Sequence, residues 1–263
     1  IQNCRQCLSR MEDGIRLLKE NSLALKAFQY MNRVMLLQQL HYNMPLRKWG
    51  FENGTLKLEN SEMPVPDILD ENTWYGEISR YGKWRPFQLA FILINLRAML
   101  DRKSPDRGKV DLIWFPTGGG KTEAYLGLSA YTIFIRRLMD PTDDGTTILM
   151  RYTLRLLTAQ QYDRAAAMIC ACEMIRRENE IELGKSRITI GLWVGAETTP
   201  NSTDAAIQAW NKLMQNGDAE ENPFIMLKCP WCGAQMGTVS TGHNQWSTPG
   251  YKRITHPKRF IFQ

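Results

Sequence analysis

Residues 115–122 read Phe-Pro-Thr-Gly-Gly-Gly-Lys-Thr, a combination that can hold a nucleoside triphosphate. The general phosphate-loop pattern is G-x-x-x-x-G-K-S/T, placed after a strand and before a helix. Gly120, Lys121 and Thr122 fill its last three places, while Phe115 stands where the first glycine is usual. Gly118, Gly119 and Gly120 permit a tight turn whose amides aim at phosphate oxygens, with Pro116 and Thr117 completing the loop. The helix that follows adds positive potential at its N-terminus. Lys121 is expected to reach the β- and γ-phosphates of ATP, and Thr122 to hold Mg²⁺.

A second chemistry lies in Cys229-Pro-Trp-Cys-Gly233. Two thiols three positions apart, with a glycine that frees backbone amides to bond sulfur, make half a zinc site. The other donors are open: His243 or His256, the Cys4/Cys7 pair, or cysteines beyond residue 263. A chance pair is the bland alternative. Cys4 falls on the apolar face of an amphipathic helix and is expected in a core. Cys170 and Cys172 lie about 200° apart around a helix, cannot share an ion, and are also expected in a core.

The elements around the loop suit it. Residues 110–115 (VDLIWF) form a short apolar run before it, and residues 123–139 have helical periodicity after it. Residues 146–150 and 188–194 are further strand candidates, separated by a long helix over 154–177. Strand, helix, strand, helix, strand is the signature of a parallel sheet with crossover helices, so the expected fold class is α/β, a P-loop NTPase sheet. Ile1, Cys4, Leu8, Met11, Ile15 and Leu18 line one face of an N-terminal helix, and Leu25, Phe28, Met31 and Met35 line one face of a second. Residues 43–81 read as a long irregular connection, 87–100 as a helix and 201–222 as another. The expected division is a helical lead-in over 1–80, a nucleotide-binding domain over 81–222, and a Cys-containing basic tail over 223–263.

Composition sets the remaining bounds. The chain has 263 residues, 43% hydrophobic and 23% charged, with a formal net charge of +6. That describes a globular chain, and charged residues interrupt its apolar runs too often for a membrane span, so no membrane partner is expected. Residues 80–110 carry eight basic side chains against two acidic, and residues 228–263 five against none. A polyanionic partner is compatible with both flanks. No secretory leader opens the chain, so reduced thiols and a cytoplasmic location are expected. A chain beginning at Ile1 is expected to be a piece of something longer.

The loop resembles that of superfamily 2 helicases, whose first loop position is often not glycine. The resemblance implies a RecA-like domain and two further contacts. Trp84-Arg85-Pro86-Phe87-Gln88 is similar to the element through which such helicases read adenine, with Gln88 in the contacting place; a glutamine amide can pair with adenine N6 and N7. Residues 150–160 (MRYTLRLLTAQ) resemble the motif that holds the backbone of single-stranded nucleic acid, which gives Arg151, Thr153, Arg155 and Gln160 as phosphate contacts. Residues 191–195 stand where a further backbone-contacting loop is expected, and Trp193 reads equally well as packing. Residues 84–88, 112–128, 150–161, 169–177, 191–200 and 229–233 together look like the large helicase of the bacterial DISARM anti-phage defence systems. That resemblance implies an ATP-driven DNA helicase subunit working with a companion subunit, and it favours zinc donors beyond residue 263.

Superfamily 2 enzymes also need an acidic Asp-Glu box after the loop. Asp143-Asp144 and Glu220-Glu221 follow no apolar strand, and Asp70-Glu71 precedes the loop. The expectation is therefore a first-domain fragment that binds nucleotide without hydrolysing it alone. The alternative is a nucleotide-gated DNA-binding clamp or sensor that never unwinds. An ATPase that remodels protein would leave Gln88 and residues 151–160 without a task.

Overall fold

The structure, a computed structural model, describes residues 2–42, 44–59, 83–114, 116, 118–152, 155–195 and 199–262, with backbone alone for 155–159. Expectations on Phe115, Thr117, Thr153, Asp70 and Glu71 lie outside these residues. Two compact units emerge, Ile1–Leu40 with Pro66–Ile190, and His41–Val65 with Gly191–Gln263. The second unit therefore takes in the whole of the tail expected at 223–263.

The first unit is built on α3 (Pro86–Leu100), which is apolar on nearly every side and buries Ile92, Leu93 and Leu96. A helix without a polar face belongs in a core. Pro86 opens it, where the missing N–H costs nothing. Against α3 pack α1 (Gln2–Glu20) and α4 (Lys121–Met139). Leu126, Tyr131, Phe134 and Ile135 of α4 are buried. Helix α5 (Arg155–Glu178) adds Ala167, Ala171 and Ile175, and the short α6 (Glu180–Leu183) follows it. Most of α2 (Ser22–Tyr42) belongs here too, with Met31 and Met35 buried as expected and Leu25 exposed.

Helix α1 departs from its sequence pattern. Leu8 and Ile15 are exposed, as are Cys4 and Cys7, and the face turned inward is Arg10, Asp13, Gly14 and Leu17. Two observations account for the choice. Arg10 gives two hydrogen bonds to Asp111, at 2.7 and 2.9 Å, and Asp13 pairs with Arg97 of α3. A Cβ at Gly14 would stand 2.2 Å from the Leu93 carbonyl oxygen, so only glycine lets the two helices approach this closely. The expected core position of Cys4 is thereby corrected; Cys172 is buried as expected, and Cys170 is half-buried.

The described strands form three antiparallel pairs and no parallel sheet. Residues 110–114, 146–150 and 188–194 are in no strand among the described residues, although exposure alternates along 110–114. The RecA-like sheet thus stays an expectation. In the second unit, β1 (Trp49–Glu52) and β2 (Thr55–Leu58) make a hairpin within the stretch read as irregular, a correction. Its turn is Asn53-Gly54, both left-handed, the residues that such two-residue turns require.

Helix α7 (Thr203–Asn216) starts at Ser202, whose hydroxyl accepts from the Ala205 N–H at 3.2 Å, and it stops short of the expected 222. The tail holds two hairpins, β3 (Val239–Gly242) with β4 (Gln245–Ser247) and β5 (Tyr251–Ile254) with β6 (Arg259–Phe262). Phe224 stacks on Phe260 and meets Tyr251 edge-on, closing a small aromatic core.

Candidate functional site

The glycine-rich loop leads directly into α4. Gly118 and Gly120 have φ of +79° and +84°, the left-handed conformation that glycine adopts freely, and Gly120 is the N-cap. The Gly119 N–H donates to the Pro116 carbonyl at 3.1 Å. Lys121 Nζ donates to the same carbonyl at 3.1 Å, folding its ammonium across the turn.

Two side chains from the start of α3 brace the loop. Arg85 Nη1 donates to the Gly119 carbonyl at 2.9 Å, and Gln88 Nε2 donates to the Gly120 carbonyl at 2.7 Å. The Gln88 amide oxygen accepts the Arg85 N–H at 2.8 Å, and the residue is 4% exposed. With two carbonyls held from outside, their peptide planes are fixed. Each end of the Gln88 amide keeps one further hydrogen-bonding position, a second hydrogen and a second lone pair. On the other side, Glu123 in the first turn of α4 pairs with Arg164 of α5. Upstream, Arg10 holds Asp111 and also meets Asp106 at 3.2 Å. The entry and exit of the loop are thus tied to three helices.

This donor set fits a polyphosphate. The first turn of α4 supplies helix N-terminal N–H groups and positive potential. Space beside Gly118 is open, with no atom within 4 Å of where a Cβ would stand. Lys121 is half-buried, one position into the helix.

Arg85 was not singled out from sequence as a site residue. The signal was present: an Arg three positions before Gln at a proline-started helix places both side chains at that helix's N-terminus. Arg151 and Gln160 are exposed, as phosphate contacts would need to be. The backbone of Arg155 opens α5, so a helix N-terminus does stand at the segment named for nucleic acid. Of the acidic pairs, Asp143 is engaged by Arg136 at 2.6 and 2.8 Å, and Asp144 accepts from Ser186 at 3.3 Å.

The Cys229–Cys232 pair forms a knuckle in the second unit. The Gly233 N–H donates to the Cys229 carbonyl at 3.0 Å, and the Cys229 N–H to the Ala234 carbonyl at 2.8 Å. The turn is gripped by the segment before β1, where Arg47 N–H donates to the Gly233 carbonyl at 2.8 Å and Arg47 Nη1 to the Cys232 carbonyl at 3.2 Å. His41 stacks on Trp231, with centroids 3.5 Å apart, and its Nδ1 lies 2.6 Å from the Trp231 carbonyl. Burial holds His41 below its ordinary pKa, so it is the neutral ring that donates there.

The two thiols shift in opposite directions. Cys232 is held below its ordinary pKa, first by its pairing with Cys229 and then by the Ala234 N–H and the charge of Arg47. Cys229 is pushed up by that pairing and by burial. Backbone N–H groups of Trp231 and Cys232 also reach the Cys229 sulfur. Amide donors converging on paired sulfurs are what a thiolate metal knuckle presents, so the pair fits zinc as a half-site. Among the described residues, no group of three or more His, Cys, Asp or Glu is gathered to complete it. No described helix is long and apolar enough to cross a membrane.

No protein-family profile matches the chain. Over 246 residues it is 42% identical to the DISARM protein DrmA of Bacillus paralicheniformis (strain ATCC 9945a / NCIMB 11709 / CD-2). That alignment takes in 89% of this chain and 20% of the relative, so the chain spans about a fifth of the length of the protein it matches.

Proposed function

We propose that this chain, related to a DISARM protein over most of its length, carries the nucleotide-binding part of an ATP-dependent DNA helicase or translocase subunit in anti-phage defence. The observation that carries the reading is the turn at residues 118–121, with two of its carbonyls held by Arg85 and Gln88 and α4 opening directly beneath it. The amides of Gly118–Gly120 and the helix N-terminus would take the phosphates. Lys121 would exchange the Pro116 carbonyl for the β- and γ-phosphates, and Gln88 would use its remaining donor and acceptor on adenine.

Thr122 would hold Mg²⁺, which supplies charge neutralisation at the phosphoryl group. Arg151, Thr153, Arg155 and Gln160 would hold one DNA strand through its phosphates, without reading base identity. A companion subunit is expected, as the DISARM similarity suggests a multi-protein system. Zinc at Cys229 and Cys232, with donors from elsewhere in the protein, completes the proposal.

The deciding experiment is equilibrium ATP binding by the parent and by Lys121→Ala. Loss of binding in the variant supports the reading, and unchanged affinity overturns it.

A further inference from the structure

The second compact unit contains a cleft of about 500 Å³ that none of the chemistry above uses. It is lined by Trp49 of β1, Trp210 and Met214 of α7, Pro249, Tyr251 and Lys252 of β5. Both indoles have already committed their N–H groups. Trp49 Nε1 donates to the Gln235 carbonyl at 2.8 Å, and Trp210 Nε1 donates to the Thr248 hydroxyl at 2.7 Å. The rings are therefore anchored by their polar edges, and what they offer the cleft is carbon surface. Both remain half-buried, neither lost in a core nor free to swing.

From residue 228 onward the charge is of one sign. Residues 228–263 hold Lys228, Lys252, Arg253, Lys258 and Arg259, with no Asp or Glu. Lys228 is committed to the Met44 carbonyl and Lys258 to Asp204. Lys252, Arg253 and Arg259 are exposed on the β5–β6 hairpin, and among the described residues none has a carboxylate within ion-pair distance.

We propose that this cleft is a second nucleic-acid contact, where an unpaired base stacks on Trp210 and Trp49 while Lys252 and Arg259, on one face of the β5–β6 hairpin, meet the flanking phosphates. Anchored aromatic rings beside unpaired cations are how single strands are held without sequence preference, because every base has a π-face and every nucleotide a phosphate. Tryptophan clefts also take proline-rich peptides. Exposed Lys252 and Arg259, which face no carboxylate within ion-pair distance among the described residues, select the polyanion. The proposal shares with the helicase reading only the choice of nucleic acid as ligand; it places a contact in a different unit from residues 150–160.

The test is binding of a fluorescein-labelled oligothymidylate of roughly 15 nucleotides to the 263-residue chain, a length matched to known single-strand sites. Anisotropy is recorded for the parent and for Trp210→Ala, Trp210→Phe, Lys252→Glu and Arg151→Ala. Trp210→Ala and Lys252→Glu are each expected to weaken binding roughly tenfold or more, while Trp210→Phe keeps most of it because an aromatic face remains. Far-UV circular dichroism checks the fold of Trp210→Ala; Lys252 is exposed, so its variant keeps the test decisive if the tryptophan variant unfolds.

Parent-like affinity in Lys252→Glu and in a folded Trp210→Ala overturns the cleft. If Arg151→Ala alone loses affinity, DNA is held at residues 150–160 and the cleft is likewise excluded. A parent chain that ignores the oligonucleotide but binds a proline-rich peptide overturns the proposal and gives the cleft to a protein. None of these outcomes touches ATP binding at Lys121, which is read separately.

Discussion

Gln88 donates its side-chain amide to the main-chain carbonyl of Gly120 at 2.7 Å, across 32 positions of sequence. Through that one bond the first turn of α3 sets the orientation of the peptide that caps α4. A residue expected to touch a base is therefore also the brace of the glycine-rich loop. Gln88→Ala removes the brace and, on the proposed function, an adenine contact. Affinity is expected to fall for both ATP and GTP, and further for ATP. Titration with the two fluorescent nucleotides measures this; an equal loss for both would leave the brace and remove adenine reading from the proposal.

The two left-handed glycines of the loop should respond differently to a methyl group. A Cβ at Gly118 meets nothing within 4 Å, so Gly118→Ala carries only the backbone strain, about 1–2 kcal/mol. At Gly120 the same atom would stand 2.8 Å from Gln88 Nε2 and 3.3 Å from Glu123 Oε2. Gly120→Ala is expected to cost more stability in urea unfolding and to lower ATP affinity at least tenfold. Equal unfolding midpoints for the two variants would contradict the packing described.

Glu173 gives a pH signature. Burial alone would raise its pKa, but hydrogen bonds from Arg176, the Ile188 N–H and Arg177 outweigh burial and hold it at about 2, from an ordinary 4.5. The folded value lies below the unfolded one, so the unfolded chain takes up the proton first. The stabilisation is complete above about 4.5 and is lost as pH falls towards about 2. Urea unfolding between pH 6 and pH 3 should show a steeper acid loss in the parent than in Glu173→Gln. Parallel profiles would show that the carboxylate contributes no pH-dependent stability.

Zinc is expected on the intact protein and is expected to be lost from Cys229→Ser with Cys232→Ser. Elemental analysis of the purified protein reads this directly. Absence of zinc from the intact, unsubstituted protein would refute it, and the knuckle would then stand as a plain turn gripped by Arg47 and His41.

Much of the helical layout was legible because periodicity and breakers agree. Residues 86–100 are mostly apolar and start with proline; α4 ends at Met139, just before Asp140-Pro141. The inward face of α1 was not legible, since its partners Asp111 and Arg97 lie far along the chain and a salt-bridged face looks solvated when read locally. The β1–β2 hairpin was signalled by Asn53-Gly54 but is only four residues a side, too short for alternation to stand out. The glycine-rich turn into α4 was readable from residue types alone. Its bracing by Arg85 and Gln88 was not, because a hydrogen bond to a carbonyl leaves no mark on the residue that accepts it.

The contact between Gly14 and the Leu93 carbonyl sets a timetable for biosynthesis. The first helix can dock only after a segment 79 positions later has been made. At about 5–20 residues per second, α1 waits roughly 4–16 s for its partner after leaving the ribosome. Closing a loop of that length also costs entropy that only the completed α1–α3 contact repays. Throughout the interval the Gly14–Leu17 face of α1, buried in the folded chain, stays open to water and within reach of a chaperone.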